Sequence, residues 1–222
     1  DTISSLAAGS EQVIVLTYNY STGNDMLIAR QGIDKVADLK GKKVAAEEGT
    51  IYHFFLSLVL EQAGLSMADV IFVPLELGKS AAAFASGQVD AVVVSTPFHT
   101  QALKRTGSKV LVSSRDFPGI ISDHLVFTRQ FVEKYPEQVQ AIVNTWFDTL
   151  NYINRYPEQT TTIMAKRLNV TPDEYRQYDE GIHIPNIQEN IVAFQLKDDL
   201  SSLPFVAQRI SNFLLKMNFI SR

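Results

Sequence analysis

Apolar and polar positions along this chain switch repeatedly between a period of two and a period near 3.6, and the switches lay out its elements. Val13, Ile14, Val15 and Leu16 form a buried run that predicts a strand from Gln12 to Tyr18, with a second extended piece from Met26 to Ala29. Asp1 is placed to cap a short helix, Thr2 to Ala8, that stops at Gly9. From Val44 onward the pattern is regular: strand 43–47, helix 50–63, strand 70–75, helix 79–86, strand 89–94, helix 97–106 and strand 109–113. Gly64, Gly87 and Gly107 end the three helices, and strands alternating with helices through such short loops predict a parallel sheet with right-handed crossovers.

After Pro118-Gly119 the apolar stretch Ile120 to Thr128 predicts a strand returning to a different sheet, and everything beyond it reads as helical. Within Pro136 to Tyr156, Val139, Ile142, Val143, Trp146, Leu150 and Ile153 recur on one face, so Trp146 reads as core. Pro157 and Thr171-Pro172 start two further helices, and Phe205 to Met217 is a last amphipathic one. The fold class expected is α/β, with parallel-sheet lobes and a helical C-terminal part.

The stretch from Asp38 to His53 carries the densest chemistry. A buried strand runs into Glu48-Gly49-Thr50, where Gly49 permits a sharp bend, Thr50 is fit to cap a helix, and the first-turn amides lack intrahelical partners. Such a start seats an anion for roughly 0.3–1 kcal/mol. Equally, any strand-to-helix turn needs a small residue and a cap. Ile51, Phe54, Phe55, Leu58 and Val59 form the apolar face of this helix and Thr50, His53, Ser57 and Glu61 a polar stripe, which predicts that His53 lies off the core, lining a cleft or facing water. Upstream, Tyr18 to Asp25 is a loop of hydroxyls, amides and one glycine, either a ligand loop at a strand end or a solvated turn. Pro97 suits a first helical turn, so that Ser95 and Thr96 present hydroxyls to the same cleft. Asp123 and His124 sit in the return strand, where a carboxylate binds ligand or pins a hinge.

Composition narrows the chemistry. The 222 residues suffice for one large domain or two small lobes, and 45% hydrophobic content is ordinary for a globular chain. A net charge of -4 without a basic cluster removes the electrostatic footprint of a nucleic-acid binder. No apolar run approaches the ~20 residues of a membrane span. The opening at Asp1 carries no leader and fits a mature or trimmed product. Without cysteine there are no disulfides, thiolate metal sites or cysteine nucleophiles. His53, His99, His124 and His183 show no paired metal-ligand spacing, and no metal, cofactor or catalytic residue is expected.

Five segments together resemble the substrate-binding proteins of ABC importers of the nitrate, taurine and alkanesulfonate, and thiamine-precursor type: Tyr20-Ser-Thr-Gly-Asn-Asp25, Ala37-Asp-Leu-Lys-Gly-Lys-Lys-Val44, Glu48-Gly-Thr-Ile-Tyr-His53, Phe84-Ala-Ser-Gly-Gln-Val-Asp-Ala91 and Ile121-Ser-Asp-His124. The resemblance covers nearly the whole chain. It implies a two-lobe type II binding-protein fold, with residues 1–30 and 120–222 in lobe one and 31–119 in lobe two. It also implies capture of a small polar or anionic solute, such as a sulfonate, a nitrate-like anion or a pyrimidine precursor, by hinge closure. By the same resemblance Tyr20, Ser21, Gly23, Asn24 and Asp25 line lobe one's side of the cleft. Glu48, Gly49, Thr50 and His53 then face them, with Ser95, Thr96 and Pro97 alongside and Asp123 near the crossover.

The implied partner is a membrane permease, and the implied location the periplasm or outer face of a bacterial membrane, with or without a lipid anchor. A fused sensor module reading the same pocket is an alternative; a thiamine-pyrimidine synthase-like enzyme is another, although the cysteine-rich motif associated with it has no counterpart in a chain without cysteine. Two departures from the family pattern matter. A segment that relatives carry before the equivalent of Asp1 is lacking, which predicts an exposed lobe-one sheet edge and, from it, either pairing into a dimer or poor solubility. Ser95 and Thr96 stand where many relatives have a tryptophan and an acidic residue. Asp25 and Glu48 would repel an anion, so either they point away or the ligand has a cationic or hydrogen-bond-donating part.

Overall fold

The computed structural model describes residues 2–221; the capping role expected of Asp1 lies outside them. In chain order, α1 (Thr2–Ala7) precedes the long β1 (Gln12–Ser21) and the short β2 (Met26–Ala29), and β3 (Lys43–Ala46) leads into α2 (Ile51–Gln62). Next come β4 (Ile71–Pro74), α3 (Leu77–Ala85), β5 (Ala91–Val94), α4 (Phe98–Leu103) and β6 (Lys109–Ser113). After β7 (Ser122–Thr128) the chain is helical, through α5 (Arg129–Lys134), α6 (Pro136–Arg155), α7 (Pro157–Leu168) and α8 (Pro172–Asp179). The two-residue β8 (Ile182–His183) interrupts this run before α9 (Ile187–Ala193) and α10 (Leu203–Lys216). Pro97 lies just ahead of α4, after a cis peptide bond from Thr96, and not in the helix's first turn.

The strands divide between two sheets. One has five strands in the order β4-β3-β5-β2-β6, the other three in the order β7-β1-β8. In the larger sheet β3 is parallel to β4 and β5, as the alternation predicts, but β2 inserts between β5 and β6 and runs antiparallel to both. The smaller sheet is antiparallel throughout. Two expectations are corrected here: neither sheet is wholly parallel, and Met26–Ala29 belongs with the later strands, not with residues 1–21. The cause is hydrophobic. Leu27, Ile28 and Ala29 are completely buried, and a strand apolar on both faces needs a covered, central position.

Both faces of the five-stranded sheet are covered. Leu27, Val44, Ala46 and Val93 turn toward α2, whose Phe54, Phe55, Val59 and Leu60 join Val206, Phe213 and Leu214 of α10 in one core. Ile28, Ala45, Val92 and Val94 turn the other way, against Ala81 and Phe84 of α3 and Ala102 of α4. The three-stranded sheet is less enclosed. Of the apolar stripe on α6 only Val139 is fully buried, Ile142 remains 41% exposed, and Trp146, read as core, is half-buried against Tyr18 with ring centroids 5.7 Å apart.

The chain passes between the sheets twice, before β2 and before β7, and the two passages are fastened to each other. The Ser21 amide donates to the Ile121 carbonyl (3.0 Å) and the Ser114 amide to the Asp25 carbonyl (2.8 Å). Gly119, at φ +90°, is held to glycine because a Cβ there would stand 2.1 Å from the Leu200 carbonyl oxygen.

Candidate functional site

The helix start singled out in the sequence forms as expected, but its polar groups are largely spent on itself. Thr50 caps α2: its hydroxyl donates to the Glu47 carbonyl (2.8 Å) and accepts from the Tyr52 amide (3.3 Å). The Gly49 amide donates to Nδ1 of His53 (3.3 Å). Gly49 and Tyr52 therefore have no amide left for an anion. Glu48 is exposed and Gly49 lies near the ring of Phe219.

His53 departs most from expectation. It is completely buried, stacked on Phe72 at 4.4 Å between ring centroids, with Phe213 and Phe219 edge-on at 5.1 and 5.7 Å. Nε2 has no hydrogen-bond partner, and burial pulls the imidazole down to about 4, so it is neutral at physiological pH. Within the polar stripe of α2, His53 is covered from the far end of the chain by Phe213 of α10 and by Phe219, a layer that the local pattern around His53 does not reveal.

The crossover loop is similarly structural in part. Ser21 and Ser114 share a hydrogen bond of 2.7 Å, and the Gly23 amide donates to the Ser114 hydroxyl (2.8 Å). Asn24 donates from Nδ2 to the Tyr178 carbonyl (2.7 Å), tying the loop to the end of α8. Tyr20 stacks on His183 at 6.4 Å and faces a separate cavity of about 580 Å³ that also touches Thr22 and Gly119. Thr96 pairs with Nδ1 of His99 (3.3 Å), and Pro97 is exposed.

What remains converges where the first turn of α2 approaches β7. Asp25 is only 5% exposed, and burial, with Asp123 adding its charge, pushes its carboxyl up to about 6 against a hydrogen bond from Ser21. Tyr52, in the first turn of α2, has its hydroxyl 3.1 Å from Ser95 Oγ at the end of β5. Burial raises the Tyr52 phenol, Ser95 opposes, and the charges of Asp25, Glu47 and Asp123 raise it further. Asp123 itself accepts from Asn19 Nδ2 (3.0 Å) across the β1–β7 pair. A cavity of about 320 Å³ reaches from Ile51 of α2 to Tyr18, Ile121, Ser122 and Asp123. Of the expected residues Asp123 lines this cavity, Ser95 bonds to Tyr52 and Asp25 is buried at the crossover, whereas Glu48 is exposed and Asn24 and His53 are engaged elsewhere.

Tyr52 was not among the residues the sequence nominated, and neither was Glu47. The available signal was positional: Tyr52 follows Gly49-Thr50 by two residues, on the first turn of a helix after a sheet strand. Chemically the cavity offers the Tyr18 and Ser122 hydroxyls and the Asp123 carboxylate beside the apolar side chains of Ile3, Ile14, Ile51 and Ile210. Among the described residues no group of histidine, aspartate or glutamate side chains is set to hold a metal ion, and no helix is long and apolar enough to cross a membrane.

The sequence profile of the NMT1-like family matches residues 3–169. A protein of Escherichia coli K12, provisionally named for binding aliphatic sulfonates, is 30% identical over 166 residues, covering 74% of this chain and 52% of that protein. The taurine-binding periplasmic protein of the same organism is 30% identical over 147 residues, covering 64% of this chain and 45% of its own length. The chain spans about half the length of the curated relatives it matches. Among solved structures, the periplasmic aliphatic sulphonate-binding protein SsuA of Escherichia coli superposes with a TM-score of 0.78 over all of this chain and 73% of its own, at 24% identity. The desulfurization enzyme DSZB superposes at 0.67 and 18% identity, covering 99% of this chain and 78% of its own, so the fold alone does not separate binding from catalysis. Architecture is that of the two-lobe binding proteins, and by its sequence the chain belongs to the NMT1-like family.

Proposed function

We propose that the chain is the solute-trapping part of an ABC importer's binding protein, which captures a small polar or anionic organic solute between its lobes. The observation that carries this reading is a cavity of about 320 Å³, of a size suited to a small solute, lined by Ile51 at the start of α2 and by Tyr18, Ser122 and Asp123 of the three-stranded sheet, with Tyr52 bonded to Ser95 on the adjoining turn. A solute touching groups on both sides favours the closed arrangement by its extra contacts there, and a permease in the membrane, or a fused sensor module, reads that state. The location that goes with this role is the periplasm or the outer face of a bacterial membrane. Its relatives named for sulfonates and taurine make sulfonates the first class to test. No residue is assigned a catalytic role. The outer edge of β7, which has no strand partner among the described residues, supports pairing with a second chain.

The test is a thermal-shift screen of the purified protein against sulfonates, nitrate, bicarbonate, pyrimidines and aromatic carboxylates. A ligand at a hundredfold over its dissociation constant adds roughly 2.7 kcal/mol to stability. A shift for one class that shrinks in Tyr52→Phe and Asp123→Ala is expected. A shift untouched by both substitutions, or none for any class, overturns the reading.

A further inference from the structure

Three stretches of the chain connect the layers around the two sheets, and all three border one cavity. Besides the passages before β2 and before β7, the stretch from α9 to α10 makes such a connection. It leaves a helix fastened to β1, where Asn190 Oδ1 accepts from the Thr17 amide (2.9 Å), and enters one packed over α2 in the core of the larger sheet. Tyr20 and Thr22 on the first stretch, Pro118 and Gly119 on the second and Leu200 on the third line the cavity of about 580 Å³. The second and third stretches touch there, since the Leu200 carbonyl leaves no room for a Cβ on Gly119. The rest of the wall comes from α9 and β8. Val192 is apolar, and the His183 ring lies nearly parallel to Tyr20, at 16° with centroids 6.4 Å apart. Glu189 holds that ring in place, with Oε1 2.9 Å from His183 Nε2 while Oε2 accepts from the Asn186 amide (2.8 Å).

We infer that this cavity is a second binding site, separate from the interlobe one, for an uncharged and mostly apolar ring compound, and that filling it stiffens the three connections. The two cavities share no lining residue. The volume of this one lies inside the roughly 300–1,000 Å³ range of small-molecule pockets. Pro118, Val192 and Leu200 supply apolar contact, and the Tyr20 and His183 rings favour an aromatic occupant. Thr22 and Gln188 add a hydroxyl and an amide to orient one polar substituent. An acidic ligand does not fit, because no lysine or arginine lines the cavity and the carboxylates of Glu189 and Asp199 stand in its wall. A compound touching all three stretches holds them at one mutual spacing, and so favours whichever arrangement of the two sheets has that spacing.

The experiment is a titration of the whole protein with 2-naphthol and, separately, with its anionic counterpart naphthalene-2-sulfonate, followed through amide chemical shifts. 2-Naphthol is expected to bind saturably, with a dissociation constant below about 1 mM, and to move the amides of Thr22, Gly119, His183 and Val192. The sulfonate should leave those four amides in place. Gln188→Trp, at an exposed position on α9 that does not endanger folding, covers the cavity's mouth, and Val192→Trp fills it from within. Each should weaken 2-naphthol binding about tenfold or more. In the bound protein the Ser21 and Ser114 amides, which fasten the first two connections to each other, should exchange with solvent more slowly. Lack of saturable binding, equal response of the four amides to both probes, or shifts centred on Ile51, Ser122 and Asp123 overturns the inference. So does binding that survives both substitutions, or exchange at Ser21 and Ser114 that does not change. The interlobe reading is tested apart from this, by a thermal shift that Gln188→Trp should leave intact.

Discussion

The five-stranded and three-stranded sheets are built from similar apolar periodicities, yet they end in different physical states. In the larger sheet the central strands β2, β3 and β5 alternate into covered layers, α2 with α10 on one side and α3 with α4 on the other, and Leu27, Val44, Ala45, Val92 and Val93 are all completely buried. In the smaller one the α6 stripe meets a single sheet, so Ile142 and Tyr152 stay 41% and 40% exposed, and Leu16, Leu125 and Trp146 border a groove of about 410 Å³. A pattern on one helix states which face seeks burial; it does not state whether a second layer arrives. The consequence is an uneven distribution of stability, with the larger sheet and α2 at the high end and the crossover and α6 at the low end.

The sharpest way to break this comparison is to truncate one apolar side chain on each side. Phe55→Ala, in a completely buried site between β3 and the α2–α10 layer, is expected to cost about 3–5 kcal/mol. Ile142→Ala on α6 is expected to cost under about 1 kcal/mol, since much of that side chain is already in water. Urea denaturation of the two variants measures both. Equal losses would mean that the α6 face is as well packed as the α2 face.

Next in size is the response to pH, which has opposite signs in the two regions. His53 titrates near 6.5 when unfolded and about 4 when folded, so the folded form holds fewer protons between those values. Its contribution is complete above 6.5 and is lost as pH falls toward 4, to the extent of roughly 3 kcal/mol. Asp25, raised from 3.8 to about 6, keeps its proton longer in the folded form, so its own contribution to stability is fully present below 3.8 and is lost as pH rises through about 6. His53→Phe should flatten the acid limb. Asp25→Asn should be more stable than the parent at pH 7 and lose that advantage near pH 4. Midpoints of urea unfolding across pH 4 to 8 decide the matter; parallel profiles for Asp25→Asn and the parent would show that Asp25 is not an unrelieved acid.

How much of this was legible in the sequence depends on how far each feature reaches along the chain. The β3–Gly49–Thr50–α2 turn was legible because every group that makes it lies within a few residues: the glycine, the Thr50 cap and the apolar face of α2. The alternation from β3 to β5 was legible for the same reason. What failed was non-local. The antiparallel insertion of β2 depends on partners in β5 and β6, and the burial of His53 depends on Phe213 and Phe219. For the site, Asp25, Ser95 and Asp123 could be nominated from their places at strand ends and crossovers. Glu48, ahead of the helix, is exposed, while Tyr52 on the first turn of α2 is the side chain that reaches Ser95.

The smallest of the expected effects concerns the joint between the two regions. Ser114 is completely buried; its hydroxyl receives the Gly23 amide at 2.8 Å and pairs with Ser21 at 2.7 Å, so one side chain links both passages of the chain. Replacing it with alanine leaves the Gly23 amide and the Ser21 hydroxyl without that partner, a loss of about 1–2 kcal/mol. The loss should be local, because the backbone bonds from Ser21 to Ile121 and from Ser114 to Asp25 remain. Hydrogen exchange is the measurement: in Ser114→Ala the amides of Ser21 and Gly23 should exchange faster while those of Phe55 and Val93 keep their rates. If protection in β5 and α2 falls as well, the crossover is part of the same cooperative unit as the five-stranded sheet, and the two regions do not open separately.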